Sequence, residues 1–279
     1  MISSIDHLII AVKDLDQAER NYKKIFGTSP VWRGKHESLG TANSIFNVKN
    51  IYLELLTADG DGLGAELVKS SIAEHGDGLA GIVFGVNDMS QVVQQLKKEG
   101  HVISDPVEGE GSDDMSEKVR MWKSLFLPPE LTRGLFSFMI QHHDGELPSY
   151  DEYAKDSINK LDHVVINTNN ADSFIETYRD VFKIRLALDK TIEHWNSRML
   201  FFRLNKTTIE VVERPNNESP KDNLWGLAWE VESIEDTHKR LSSEGVEVSD
   251  IKEGLKENTL VATLKSHTHN VPTLIIQHL

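Results

Sequence analysis

Two pairs of metal-capable side chains stand at matching places in this chain. Ile5-Asp6-His7-Leu8-Ile9-Ile10 recurs as Leu161-Asp162-His163-Val164-Val165-Ile166, and each histidine is followed 47 residues later by a glutamate in an apolar run, Glu54 and Glu210. Imidazole and carboxylate together hold a divalent ion, which can act as a Lewis acid on substrate oxygens. A carboxylate able to leave such an ion can take a proton from carbon next to a carbonyl. His7, Glu54, His163 and Glu210 are therefore the candidate metal ligands, and Glu54 and Glu210 the candidate catalytic bases. A carboxylate buried among apolar residues is costly unless paired or metal-bound, and an ion explains both members of each pair.

Composition limits the alternatives. The chain has 279 residues, a formal net charge of -14 and no cysteine. Its length suits one large or two medium domains. The acidic balance argues against nucleic acid and against an anionic membrane surface. Without cysteine there are no disulfides and no thiolate ligands, so a metal site must use imidazole, carboxylate, amide or water. No apolar run approaches membrane-spanning length, and no apolar signal core opens the chain, so the cytoplasm is the expected compartment. The expected partner is a small-molecule substrate or ligand, with a homodimer left open. No phosphate-binding glycine loop, nucleophile elbow or H-E-x-x-H pair is present.

The elements that must position these residues repeat as well. Leu96-Lys97-Lys98-Glu99-Gly100 is echoed by Leu241-Ser242-Ser243-Glu244-Gly245, and Ile140-Gln141-His142 by Ile276-Gln277-His278. The simplest account is four units, starting near residues 3, 78, 159 and 223. Each reads as strand, helix and three strands. In the first, Asp14 and Gln17 mark a helix start, Leu15, Ala18, Tyr22, Ile25 and Phe26 share a face, and Gly27 stops the helix. The second unit is expected to have strands near 101–104, 118–126 and 135–142. In the third, Phe174, Tyr178, Val181 and Phe182 share a helical face. The division expected is 1–145 for modules 1 and 2, a linker over 146–158, and 159–279 for modules 3 and 4.

A tandem βαβββ unit with an Asp-His pair opening its first strand and a Glu in its last resembles the vicinal oxygen chelate superfamily, which includes glyoxalase I, extradiol dioxygenases and bleomycin-resistance proteins. Residues 3–60 carry the sharpest likeness, to glyoxalase-like domain proteins. They include Ile5-Asp6-His7-Leu8, the loop from His36 to Asn43, and Tyr52-Leu53-Glu54-Leu55-Leu56. The resemblance implies an α+β fold: four tandem βαβββ modules forming two cupped mixed β-sheet (half-barrel) domains with helices outside. It implies a divalent ion (Ni, Mn, Zn, Co or Fe) on the cup floor, or none if the ancestral site has decayed.

Module pairing decides the ligand set. In chain order, one cup holds His7, Glu54 and Gln141, and the other His163, Glu210 and Gln277. If module 1 met module 3 instead, His7, Glu54, His163 and Glu210 would share one site. Consecutive pairing is favoured because sequential elements are usually neighbours. Gly81 and Gly226 take the place corresponding to His7 in modules 2 and 4. Gly226 stands where a ring-cleaving dioxygenase would carry a histidine, which disfavours that activity. His36 and Asn43 are candidates for lining the cup; His194 occupies a roughly similar place in the third module, with Trp195 next to it. Trp225 and Trp229 share strand parity and are candidates for an aromatic substrate wall. His142 and His278 read as solvated strand ends. The expected function is a metal-dependent glyoxalase-like enzyme of lyase or isomerase type. The alternative is a metal-free binding protein of the bleomycin-resistance type.

Overall fold

The computed structural model describes residues 2–114, 116, 118–193, 197–214 and 222–279. His194 and Trp195 lie outside the described residues.

The first half runs β1 (Ile2–Ala11), α1 (Leu15–Phe26), β2 (Trp32–His36), β3 (Thr41–Asn47), β4 (Tyr52–Ala58), α2 (Leu63–His75), β5 (Gly78–Val86), α3 (Met89–Lys98), β6 (Val107–Asp113), β7 (Val119–Phe126), α4 (Pro129–Thr132) and β8 (Ser137–Asp144). The second runs β9 (Ile158–Thr168), α5 (Ala171–Ile175), a π-helical turn (Glu176–Val181), β10 (Arg185–Ile192), β11 (Ser197–Leu204), β12 (Thr207–Glu213), β13 (Asn223–Val231), α6 (Ile234–Ser243), β14 (Lys252–Glu253), β15 (Thr259–Leu264) and β16 (Thr273–His278).

Each half forms one eight-stranded mixed sheet, and the modules pair in chain order. In the first, β1 lies between β4 (parallel) and β5 (antiparallel); in the second, β9 lies between β12 and β13 in the same way. His7 and His163 thus belong to different sheets, and the four-ligand set across modules 1 and 3 does not form. The halves differ at their edges. The first sheet closes into a barrel through a short β2–β6 seam, Gly34 opposite Asp113 and Lys35 opposite Ser112, whereas the second stays open.

Helix starts follow the repeat. Asp14, Asp88, Asn170 and Ser233 each cap a helix, their side-chain oxygens accepting the backbone N–H three residues on. The face expected of α1 is the buried one, Leu15, Ala18, Tyr22, Ile25 and Phe26, and Gly27 ends the helix at φ 71°. In the third module the helix widens into the π turn. Phe174 of α5 and Tyr178 of this turn stack in parallel with centroids 4.0 Å apart.

The helices of both halves meet in a shared apolar core. Phe26 of α1 packs edge-on against Trp229 of β13 at 4.9 Å, and Phe84 of β5 contacts Tyr178 and Phe182. Burying each such ring contributes about 1.5–3 kcal/mol. Arg240 of α6 adds polar ties, donating to the carbonyls of Lys24 and Ile25 at the end of α1.

Three sequence expectations need correction here. The strand expected at 101–104 is absent; its place in the sheet goes to Val107–Asp113, whose alternation is hidden by glycine and acid residues. Helix α2 carries little amphipathic pattern and was not expected. Trp229 is fully buried on the helix side of its sheet, against Phe26, and does not face the cup.

Candidate functional site

The strand that carries His7 is bulged one residue before it. Along the β1–β5 pair, Ile5 sits opposite Phe84 and His7 opposite Val83, so Asp6 is the extra residue. The β9–β13 pair repeats this, with Leu161 opposite Trp229 and His163 opposite Ala228, leaving Asp162 extra. A bulge re-aims side chains that strict alternation would send to opposite faces. Here it lets Asp6 hydrogen-bond the ring of its own neighbour. The His7 Nδ1–H donates to Asp6 Oδ1 at 2.7 Å, and His163 does the same to Asp162 at 2.7 Å.

His7 and Glu54 come together inside the first barrel. Both are buried, and His7 Nε2 lies 3.5 Å from Glu54 Oε2. With Nδ1 committed to Asp6, the Nε2 lone pair faces the carboxylate across a gap that only a cation, either a proton or a metal ion, makes favourable. That span suits two ligands of one ion at about 2.1 Å from each. Asn43 Nδ2 donates to Glu54 Oε1 at 2.6 Å, and Asn43 Oδ1 is buried with no hydrogen-bond partner. His36 Nε2 is 3.4 Å from Asn43 Nδ2, and its Nδ1 lies 3.0 Å from Thr41 Oγ1. His7, Glu54, His36 and Asn43 are therefore one connected polar group. Its donors, with the orphaned Asn43 oxygen among them, fit a divalent ion held by His7 and Glu54.

The glutamines do not join it. Gln141 Oε1 accepts the Met89 N–H at 2.8 Å and Gln277 Oε1 accepts the Ile234 N–H at 2.8 Å, so each caps a helix on the outer face of its sheet. Their neighbours point inward instead. His142 Nε2 lies 3.2 Å from Asp6 Oδ2, and His278 Nε2 lies 2.7 Å from Asp162 Oδ2. Each half thus holds a His–Asp–His bridge that the sequence reading missed by one residue of strand parity. The echo Ile140-Gln141-His142 was the available signal.

Strand register explains the glutamine error. Glu54 sits opposite Ile9 on β1, and its counterpart on β8, opposite Val83, is Phe138. In the second sheet Leu274 is the counterpart of Glu210. Modules 2 and 4 therefore offer glycine and an apolar residue where modules 1 and 3 offer His and Glu.

The second centre is looser and more open. His163 Nε2 is 3.8 Å from Glu210 Oε2, and both side chains are partly exposed. By register Asn43 corresponds to Met199, so Glu210 lacks that amide donor. Asp162, Glu230 and His278 form a second cluster of ligand-type atoms within 4.8 Å of one another. Lys160 already bonds Glu230 there. Trp225 is the bulged residue of β13, in the place Asp162 holds on β9. The bulge breaks its shared parity with Trp229, and Trp225 is half-exposed near the start of β13.

Electrostatics separates the groups. Burial raises the Asp6 carboxyl, but hydrogen bonds from His142 and His7 outweigh it and hold Asp6 well below the usual carboxylate range. Asp162 is held down in the same way by His163 and His278 against its burial. Burial pushes the Glu210 carboxyl up, with His163 opposing and Asp162 adding. Burial pushes the His36 imidazole down, with Glu54 opposing. Burial, reinforced by Asp6, keeps the Tyr52 phenol well above its ordinary value and so neutral.

Comparison with known proteins agrees with this architecture. The glyoxalase-like domain profile matches residues 5–182, and that of the Glyoxalase/Bleomycin resistance protein/Dioxygenase superfamily matches residues 160–261. No curated protein matches by sequence. Among solved structures, a mutant 4-hydroxymandelate synthase from Streptomyces coelicolor is 15% identical with a TM-score of 0.69, covering 100% of this chain and 93% of that one. The Mn(II)-bound glyoxalase from Novosphingobium aromaticivorans is 16% identical with a TM-score of 0.67, covering 100% and 83%. A hypothetical protein from Staphylococcus aureus is 12% identical with a TM-score of 0.66, covering 99% and 100%. At such identities the likeness is one of fold. Among the described residues no helix is long and apolar enough to cross a membrane. With a family profile spanning more than half its length and the paired-module sheets on which that profile rests, the chain belongs to the glyoxalase-like domain family of the vicinal oxygen chelate superfamily.

Proposed function

We propose that this protein is a metal-dependent enzyme of the vicinal oxygen chelate type, and that its centre lies in the first barrel. The observation that carries the reading is the His7 Nε2 lone pair, aimed by Asp6, facing Glu54 Oε2 at 3.5 Å in a buried setting. A divalent ion there would polarise substrate oxygens as a Lewis acid. Glu54, with Asn43 donating to one oxygen, is the group placed to move a proton next to a carbonyl, in a lyase or isomerase reaction on a small oxygenated metabolite. The first half is favoured over the second because Met199 replaces the amide of Asn43 there. Family membership and the fold shared with a Mn(II)-bound glyoxalase support the metal.

The test is metal analysis of protein purified without chelator. The reading expects a stoichiometric transition metal that is lost in His7→Ala and Glu54→Gln and kept in His163→Ala. Equal metal content in all four proteins would overturn it.

A second reading is a metal-free binding protein of the bleomycin-resistance type. It is favoured by Gly81 and Phe138, which leave module 2 without a His–Glu pair of its own. Protein free of metal, with a melting temperature indifferent to Ni, Mn, Zn or Fe, would select it.

A further inference from the structure

Arg120 is the unexplained group of the first barrel. It stands on β7 and is only 6% exposed. Its guanidinium lies over the rings of Trp32 and Tyr52, with centroids at 5.8 and 5.5 Å. One terminal nitrogen is 3.3 Å from His142 Nδ1. Its Nε has no hydrogen-bond partner. Among the described residues, no carboxylate is in ion-pair contact with it. Arg133 shows the usual solution, its Nε and NH2 both bonded to the carboxylate of Asp222, at 2.7 and 3.2 Å. The counter-charge linked to Arg120 is Asp6, on the far side of the His142 ring, and that carboxylate already accepts from His7.

A buried cation whose only contacts are neutral groups, with no carboxylate touching it, is unfavourable. Such an arrangement is retained where a ligand brings the missing charge. The rings of Trp32 and Tyr52 lie against the guanidinium, which leaves its edge, with the unpartnered Nε, as the part that can hydrogen-bond a ligand. That edge carries the free Nε and the adjacent Nη2, which has a second hydrogen besides the one directed at His142, and such an edge matches the two oxygens of a carboxylate. The interior also holds the carboxyl groups of Asp6 and Glu54. A singly charged ligand is therefore tolerated better than a phosphate dianion. Tyr52 connects this edge to the centre, its ring stacked on His7 at 4.4 Å and lying under Arg120. A carboxylate on Arg120 would thus sit one ring away from the His7–Glu54 pair.

We propose that Arg120 is a substrate-binding residue, and that the substrate of this centre is a small oxygenated carboxylic acid whose carboxylate it holds. The inference rests on the reading of His7 and Glu54 as the centre, but its binding half is measurable alone.

The probes are pyruvate, glycolate and acetate, with pyruvamide and inorganic phosphate as controls. Titration calorimetry is run on the purified protein, on Arg120→Met and on Arg120→Lys, and metal content is measured in each. Expected is carboxylate binding by the parent, weakened roughly 30-fold or more in Arg120→Met. Arg120→Lys keeps charge without the planar fork, and is expected to lose about tenfold. Arg120→Met should melt at or above the parent temperature, since it removes an uncompensated charge. If that variant does not fold, Arg120→Lys carries the comparison. Carboxylate affinity indifferent to both substitutions, or pyruvamide or phosphate binding as tightly as pyruvate, overturns the inference. Metal retained in Arg120→Met alongside lost carboxylate binding supports both readings. Carboxylate binding that depends on Arg120 in a protein without metal sinks the metal centre alone.

Discussion

His7 Nδ1 lies 2.7 Å from Asp6 Oδ1, a contact between consecutive residues that a regular strand would point to opposite faces. The bulge at Asp6 makes it, and the hydrogen bond leaves the Nε2 lone pair as the free one. Asp6→Asn keeps the shape but offers an amide that can turn either atom to the ring. Loss of such an orienting partner costs about 10–100-fold in metal affinity. Competition with a coloured chelator reads this directly. An unchanged dissociation constant would mean that Asp6 merely satisfies a buried ring.

Stability should fall in two stages on the acid side. His36 has a folded value below the unfolded one near 6.5. Its contribution is complete above about pH 6.5 and is lost as pH falls through the folded value, because the unfolded chain takes the proton first. Asp6 and Asp162 are depressed in the same sense. Their contribution is complete above about pH 3.9 and lost as pH falls towards their folded values. Urea midpoints across pH 3–8 check this. His36→Gln is expected to remove the first stage and keep the second; a first stage that survives in His36→Gln belongs to another group.

Gln141 and Gln277 give a prediction opposite to their expected role as ligands. Each side chain caps a helix by accepting one backbone N–H at 2.8 Å. Gln141→Leu should cost about 1–2 kcal/mol by orphaning that donor. Metal content should not change. A variant of full stability that loses metal would restore the glutamine to the centre.

The sequence carried the repeat, and with it the two sheets, the cap and buried face of α1, and the meeting of His7 with Glu54. Those features depend on local pattern and on equivalent positions. What it hid was register. Gln141 and Gln277 hold the place of Glu54 only by sequence equivalence, whereas pairing puts Phe138 and Leu274 there. Trp225 and Trp229 share a face only when residues are counted in twos, and the bulge at Trp225 invalidates that count. Asp6 looks like a solvated acid in Ile5-Asp6-His7 because nothing local announces the bulge. Arg120 is hidden for a different reason. Charged residues stand on either side of it in sequence, Lys118 just before β7 and Lys123 within it, and only the closure of the barrel distinguishes an enclosed guanidinium from a surface one.

The shared core links the halves through Trp229 and Phe26. Trp229→Ala should destabilise by about 3–5 kcal/mol, as expected for an emptied aromatic site. Metal content of the folded fraction should be kept, since Trp229 lies on the helix side. Chemical denaturation and metal analysis together test it. A loss of under about 1 kcal/mol would mean that the two sheets are not joined through this ring.

Gly34 keeps the barrel shut. A Cβ there would lie 1.9 Å from Ser112 O and 2.7 Å from Trp32 Nε1, so the close approach of β6 demands glycine. The seam is short, with two residue pairs, and it is the feature that separates the closed first sheet from the open second. Gly34→Ala should push β2 from β6 at a cost of about 1–3 kcal/mol, the usual penalty of overpacking. Hydrogen exchange should then quicken in β2 and β6 while β1 and β4, which hold His7 and Glu54, stay protected. If substrates enter through the seam, pyruvate association in stopped flow should quicken in the same variant. Unchanged exchange in both seam strands would show that the barrel accommodates the methyl group elsewhere, and that closure does not depend on this glycine.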